Sequence, residues 1–370
     1  MKVRVKLQKK VDESYDLLIG KCSPAALGKQ IVADGFGKSY CVVTDSRVSE
    51  LFGKKLVSSI KGAGAKAELV VFPAGEANKN MKTVSLVLEQ MLGFGFDRQS
   101  CVVALGGGIV GDVAGFCASI YLRGIRFVQV PTTLLAMVDS SIGGKTGVNL
   151  SGGKNSAGTF SQPKRVYICP EFLEGLGKEE IASGLAEVVK HAVLTDPKYF
   201  AFLEKNTKKI LSLDRKTLAT LIVKNCEIKA RVVEKDEKEG NYRQVVNFGH
   251  TIGHAIEVLG KYKKFRHGEA ISIGMVAEAQ ISRLLGLMGE DEVEKTRSLL
   301  HKIGLPVRLP REKKYSFARI IAATKKDKKA KNGKAYYALP ARIGRMHSQG
   351  GSFAVAVSDD IVMSALEAVK

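Results

Sequence analysis

The chain has 370 residues, more than the ~250–300 at which a single core stops growing, so two domains are expected. Hydrophobic residues make up 45% and charged residues 26%, which excludes a wholly disordered chain. No run of about 20 residues, the length needed to cross a bilayer, lacks charged side chains. Lys and Arg number 58 against 37 Asp and Glu, and the resulting +21 attracts polyanions, either nucleic acid or small phosphorylated acids.

Met1–Lys10 (MKVRVKLQKK) alternates charge with apolar residues and has no apolar h-region, so it reads as a first strand and not a signal peptide. Strands are then expected at Tyr40–Asp45, Glu68–Phe72, Cys101–Leu105, Ile125–Val130 and Val166–Cys169. Helical patterns lie between them; Met81–Leu92 puts Met81, Val84, Leu88 and Met91 on one stripe. This alternation is the signature of a parallel α/β sheet. From about Glu171 onward long helical patterns take over, at Glu179–Leu194, Phe248–Leu259 and Glu269–Leu285. The reading is an α/β domain over 1–175 followed by a mostly helical domain over 176–370. Within the latter, 308–334 carries eleven basic residues and two acids, with only Tyr315 and Phe317 as aromatics. That is a solvated face before it is a nucleic-acid platform, and no specific nucleic-acid partner is expected. Six cysteines without a CxxC pair do not make a disulfide framework or a thiolate zinc site, which fits a reducing cytoplasm.

Two motifs carry chemistry. Gly106-Gly107-Gly108-Ile109-Val110-Gly111-Asp112 follows an expected strand and opens an expected helix, matching G-x-G-x-x-G in its required context. Glycine there lets the backbone approach a pyrophosphate while helix-start amides face its charge. The acid expected ~20 residues further on for a ribose is missing, since that region reads Pro131-Thr132-Thr133. Asp45 ends an earlier expected strand and Glu76 sits in the segment Pro73–Lys79, so a dinucleotide would sit in a non-standard arrangement. Gly144-Lys145-Thr146 does not complete a GxxxxGK[ST] loop, because the earlier glycine would fall on Asp139. The second motif is a cluster: three of the six histidines, His250, His254 and His267, fall within eighteen residues. His250 and His254 are i, i+4 on one helix and can share a zinc ion, with a third ligand from His267 or from Glu187, Glu257 or Glu269. Spacing does not choose between them.

The blocks LGGGIVGDVAGFCASIYLRG, PTTLLAMVDSSIGGKTGVNL, GKNSAGTFSQP, ASGLAEVVKH, NFGHTIGHAIE and HGEAISIGM, in this order, resemble the 3-dehydroquinate synthase family over most of the chain. The resemblance implies an N-terminal Rossmann-like domain, a helical C-terminal domain, one NAD, one divalent metal (zinc, with cobalt as the alternative) and a homodimer. It also implies the reaction: 3-deoxy-D-arabino-heptulosonate 7-phosphate gives 3-dehydroquinate and phosphate by transient oxidation at C5, β-elimination of phosphate, re-reduction and aldol closure. It makes Glu187, His250 and His267 the metal ligands. Asp45, Glu76, Lys79, Gly108, Gly111, Asp112, Thr132 and Thr133 line the NAD site, with Lys145 and Lys154 at its edge. Asp139, Lys145, Lys154, Asn155, Lys190, Lys229, Arg243, Asn247 and His254 hold the substrate, His254 as proton relay. Arg123 reaches toward a neighbouring subunit's phosphate pocket, and Lys328 or Lys329 closes the site. Lys145 and Lys154 stand out because they lie in glycine-rich loops, where a lysine has no helix face to decorate. The segment Gly175-Leu176-Gly177-Lys178-Glu179-Glu180 departs from the family's TLP-x-R-E and lacks its threonine and arginine. Other sugar-phosphate cyclases and a metal-dependent polyol dehydrogenase are the alternatives. Lys229, Arg243 and the lysines at 328–329 favour the carboxylated substrate.

Overall fold

The computed structural model describes residues 11–20, 22–326 and 333–370. In chain order the first eight strands are β1 (Asp16–Ile19), β2 (Ser39–Asp45), β3 (Lys66–Phe72), β4 (Cys101–Gly106), β5 (Arg126–Pro131), β6 (Lys145–Leu150), β7 (Gly153–Phe160) and β8 (Arg165–Ile168). Six of them form one parallel sheet in the order β1-β8-β5-β4-β2-β3. Every residue of β4 is buried, as are five consecutive residues of β2, because helices cover both faces. Alternation with period two sends Tyr40, Val42, Val103 and Val128 into one core, and Cys41, Val43, Val102 and Phe127 into the other. The chain leaves β2 for β3 on one side and returns to β4 on the other. The carboxyl ends of β2 and β4 therefore flank a topological switch point, where an open α/β sheet offers a crevice.

The five expected parallel strands are present with ends shifted by one or two residues, while Met1–Lys10 lies outside the described residues. β1 was not anticipated: its four residues alternate exposed and half-buried and carry no sustained apolar run. The glycine-rich stretches around Lys145 and Lys154 are not loops but the antiparallel hairpin β6–β7. Glycine counts against a strand by propensity, yet a Cβ at Gly147 or Gly158 would overlap backbone of the facing strand, so close strand approach requires it. In the helix Met81–Gly93 the buried positions are Thr83, Val84, Val87 and Met91. Met81, expected on the stripe, is the first residue after the Asn80 cap and stays exposed beyond the packed surface.

After the turn Pro170–Gly175 the chain is mainly helical, with two small antiparallel ribbons near its end. The helices Lys178–Thr195 and His267–Leu284 form the centre of this half, buried without a break over residues 181–194 in the first and 270–282 in the second. The cysteines depart from expectation at one pair: Cys22 and Cys169 form a disulfide between Cα atoms 5.5 Å apart. Their separation of 147 residues offers no spacing signal. Cys41, Cys101, Cys117 and Cys226 are free and buried.

The helix Pro24–Ala33 is tied to β8 through Asp34, whose carboxylate accepts hydrogen bonds from Tyr167 Oη and from Gln30 Nε2 (2.8 Å) and pairs with Arg165 Nη1 at 2.8 Å. Burial raises this carboxyl, but the hydrogen bonds from Tyr167, Arg165 and Gln30 and the Arg165 charge outweigh it and hold it below the usual range. A carboxyl that titrates lower folded than unfolded adds stability above its unfolded value of about 3.9, and that stability is lost as pH falls through the folded value. Asp34→Asn is expected to cost about 1–3 kcal/mol at neutral pH. Its thermal-unfolding curve should approach wild type progressively in melts taken at pH values falling below the unfolded carboxyl value; equal melting temperatures at pH 7 would remove Asp34 from the fold's support.

Candidate functional site

The helix Gly108–Ile120 begins directly after β4, with Gly107 as N-cap and no side chain capping its first turn. Its leading amides are therefore open to an anion. The glycines serve space, not unusual dihedrals: a Cβ on Gly111 would lie 2.7 Å from Gln129 Oε1, and one on Gly108 would lie 2.9 Å from Ser140 Oγ. Around this turn stand the acids and hydroxyls expected at a nucleotide site. Asp45 ends β2 and accepts from the backbone amides of Arg47 (2.9 Å) and Val48 (3.0 Å). Thr132 is buried after β5, its amide on Gly106 O at 2.9 Å, and Thr133 Oγ1 accepts from Ala136 N. Buried Lys79 joins Asp112 to Asn155. Glu76 accepts from Asn149 Nδ2 at 2.9 Å and lies 3.7 Å from Lys154 Nζ.

Helix packing delivers the histidines. Gly249, at φ +79°, turns the chain into the helix His250–Leu259; a Cβ there would collide with Met275 of the crossing helix. Glu278, fully buried on that crossing helix, accepts from Gly249 N (2.7 Å) and Ile252 N (3.1 Å) and so anchors the start that carries His250. His267 opens the helix His267–Leu284. Gly268 behind it lets the turn sit against the Ser183 backbone, where no Cβ fits. Glu269, one of the carboxylates open at the level of spacing, instead accepts from Arg266 N at 2.8 Å. Arg266 in turn pairs with Glu179 and Glu180, the acids of the segment that departs from the family pattern.

Three overlapping groups of ligand atoms converge, each within 4.8 Å: Glu187 with His250 and His267, His254 with Glu257 and His267, and Asp139 with Glu187 and His191. The first is the best prepared for a cation. Glu187 Oε1 lies 3.6 Å from His250 Nε2 and 3.4 Å from His267 Nε2. His250 Nδ1 is 3.1 Å from Phe248 O and His267 Nδ1 is 3.4 Å from Glu257 Oε2, partners that leave both Nε2 lone pairs for a metal. Glu187 is completely buried, and neither of its carboxylate oxygens makes a well-formed hydrogen bond, which suits a ligand oxygen. In the third group the Lys229 ammonium already lies against Asp139, whereas Lys190 lies against Glu187 Oε2 and leaves Oε1 to His250 and His267. No converging group among the described residues contains both His250 and His254, whose rings meet edge-on at 5.3 Å.

The charges are tightly balanced. Burial raises Glu187, but Lys190 and His267 more than offset it and hold the carboxyl low. Burial lowers His267, and the carboxylates of Glu257 and Glu187 overturn that, pushing it up to about 9. The same negative potential favours any cation at this point, proton or metal. Burial, with Lys190 adding to it, draws His191 down to about 4, so it is neutral.

The structure also brings Lys145 onto Glu239, whose Oε1 accepts from Asn247 Nδ2 at 3.1 Å. Arg243, expected at the substrate, is almost fully buried with its guanidinium on Gly143 O and Glu237 O, where it braces the β6 entry. Arg123 is exposed beyond the far end of the Gly108–Ile120 helix, a helix length of ~20 Å from the glycine turn. Lys328 and Lys329 lie outside the described residues. Glu239, Glu278 and His191 were not anticipated. None sits in a spacing motif, although His191 directly follows Lys190 in a block that was singled out.

The family model described as 3-dehydroquinate synthase N-terminal matches residues 69–183, and the one described as 3-dehydroquinate synthase C-terminal matches 184–330. A curated 3-dehydroquinate synthase of Thermodesulfovibrio yellowstonii is 46% identical, covering 93% of this chain and 95% of its own. Another, of Desulforamulus reducens, is 41% identical over 90% and 93%. Among solved structures, a 2-epi-5-epi-valiolone synthase from Streptomyces hygroscopicus with NAD+ and Zn2+ bound superimposes with a TM-score of 0.88 at 29% identity, covering 99% of each chain. A 2-deoxy-scyllo-inosose synthase complexed with carbaglucose-6-phosphate, NAD+ and Co2+ gives 0.85 at 27%, over 96% and 97%. A probable glycerol dehydrogenase from Sinorhizobium meliloti, at 14% identity and 0.68, shares the fold alone. With both family models matched across most of its length, the chain belongs to the 3-dehydroquinate synthase family.

Proposed function

We propose that the chain converts 3-deoxy-D-arabino-heptulosonate 7-phosphate to 3-dehydroquinate and phosphate, using NAD and one divalent metal, zinc before cobalt. The observation that carries the reading is the convergence of Glu187, His250 and His267 beside the lysines 145, 154, 190 and 229. When bound, NAD supplies reversible hydride acceptance, and the divalent ion polarises substrate oxygens. The chain's own groups do the rest. The open amides of Gly108, Ile109 and Val110 bind pyrophosphate, with Gly111, Asp45, Glu76, Lys79, Asp112, Thr132 and Thr133 shaping the cofactor bed. Lys145, Lys154, Lys190 and Lys229, with Asp139, Asn155 and Asn247, orient the substrate and neutralise its carboxylate and phosphate where water is scarce. His254, its ring 5.3 Å from His250 and 6.2 Å from His267, holds and moves a proton.

The lysine set and the identity to curated dehydroquinate synthases support a carboxylated substrate over those of the structurally similar cyclases. The reading includes a domain division near residue 175, a cytoplasmic enzyme, and a homodimer. In that dimer Arg123, remote from its own glycine turn, serves the neighbouring subunit.

Incubating the protein with catalytic NAD+, zinc and the heptulosonate phosphate should release phosphate without net NADH. Release only from an uncarboxylated sugar phosphate would move the chain to another cyclase activity, and accumulating NADH would make it a dehydrogenase. His250→Ala and His267→Ala should lose metal and activity together. His254→Ala should keep one metal per chain yet turn over ~10²–10⁴-fold more slowly. Elemental analysis of dialysed variants decides this: a metal-free His254→Ala beside a loaded His267→Ala would reverse the assignment.

A further inference from the structure

One carboxylate in the site is left without a role by the reading above. Glu257 lies seven residues after His250 on the same helix, so both project from one face two turns apart. It is 3% exposed, and its two oxygens have different partners. Oε2 faces His267 Nδ1 at 3.4 Å, and Oε1 faces Lys154 Nζ at 3.2 Å. Lys154 comes from β7 in the other half of the molecule, where its ammonium also lies 3.7 Å from Glu76 and over the Tyr262 ring at 5.2 Å.

We infer that Glu257 is a positioning residue that fixes the Nδ1–H tautomer of His267 with one oxygen and draws Lys154 onto the metal-bearing helix with the other. The inference rests on the proposed ligand set, with His267 as a ligand through Nε2. A histidine whose Nδ1–H is held by a carboxylate presents its Nε2 lone pair in a fixed direction and is the more basic for it. Here that direction is toward Glu187 Oε1, 3.4 Å away. The second oxygen gives the arrangement its reach. A single buried carboxylate joins a metal ligand of the helical half to a lysine of the sheet half, so metal binding and the placement of Lys154 share one anchor. A glutamine at this position has the same shape but only one acceptor oxygen. Its amide group would confront either the His267 N–H or the Lys154 ammonium, and one of the two contacts must fail.

The test is zinc affinity of the full-length protein, measured by competition with a chromophoric chelator, together with the proton NMR resonance of His267 Nδ1–H in the zinc-loaded state. Glu257→Gln should bind zinc about 10–100-fold more weakly, with the His267 Nδ1–H resonance displaced or lost to exchange. Glu257→Asp keeps the charge and retracts it. It should fall between wild type and Gln, and it serves in place of Gln if that variant does not fold. Lys154→Met, which removes only the other partner, should stay within about threefold of wild type for zinc while losing substrate affinity. Unchanged zinc affinity and an unmoved resonance in a folded Glu257→Gln, while His250→Ala binds no zinc, would overturn the role of Glu257 alone. If His250→Ala binds zinc as wild type does, the ligand set itself is wrong and this inference falls with it.

Discussion

A fully buried carboxylate must be met by positive charge, and Glu187 is such a carboxylate. It lies completely buried on a helix that is itself buried for fourteen residues. Lys190 one turn later, His250 and His267 from two other helices, and Lys229 by way of Asp139 all gather around it. Burial of isolated charge is among the costliest events in folding, so the helical half is organised to deliver these groups to one point. The left-handed Gly249, the Glu278 anchor on the next helix and the close contact of Gly268 with Ser183 all serve that delivery.

The same logic explains how an unusually basic chain keeps a basic pocket folded. Each lysine of the site has its own acid: Lys79 with Asp112, Lys145 with Glu239, Lys154 with Glu257, Lys190 with Glu187, and Lys229 with Asp139. The ammonium groups are thus positioned before any substrate arrives, and an incoming carboxylate or phosphate competes for them without having to order them. Pre-positioned charge of this kind costs no reorganisation during reaction, which is the basis of electrostatic catalysis.

Long apolar runs made the parallel sheet legible in the sequence, because strands covered on both faces contain little else, as β4 shows. The G-x-G-x-x-G turn was legible for the same reason that it works, since glycine is the residue that leaves the space. What escaped was structure whose cause lies in tertiary contact. β6 and β7 are rich in glycine because two backbones approach closely, and local propensity reads that as loop. Spacing placed His250 and His254 on one face, which is correct, but it could not see that Glu187, some sixty residues earlier, turns its Oε1 toward His250 and His267. Glu257 was visible as a candidate ligand, whereas its place behind His267 depends on a helix crossing that no periodicity encodes. Arg243 was expected at the substrate from its block, and its additional rest on Gly143 O and Glu237 O is a tertiary brace that no spacing encodes.

The central claim is that Glu187, His250 and His267 hold one metal ion, with His254 beside it. The most direct measurement is anomalous diffraction at the zinc edge from crystals of the full-length protein. Ligation by this set predicts a single strong peak per chain, ~2.0–2.2 Å from His250 Nε2, His267 Nε2 and a Glu187 oxygen. A peak ligated by His250 and His254 together, or by His254 and Glu257 with Glu187 unliganded, would contradict it.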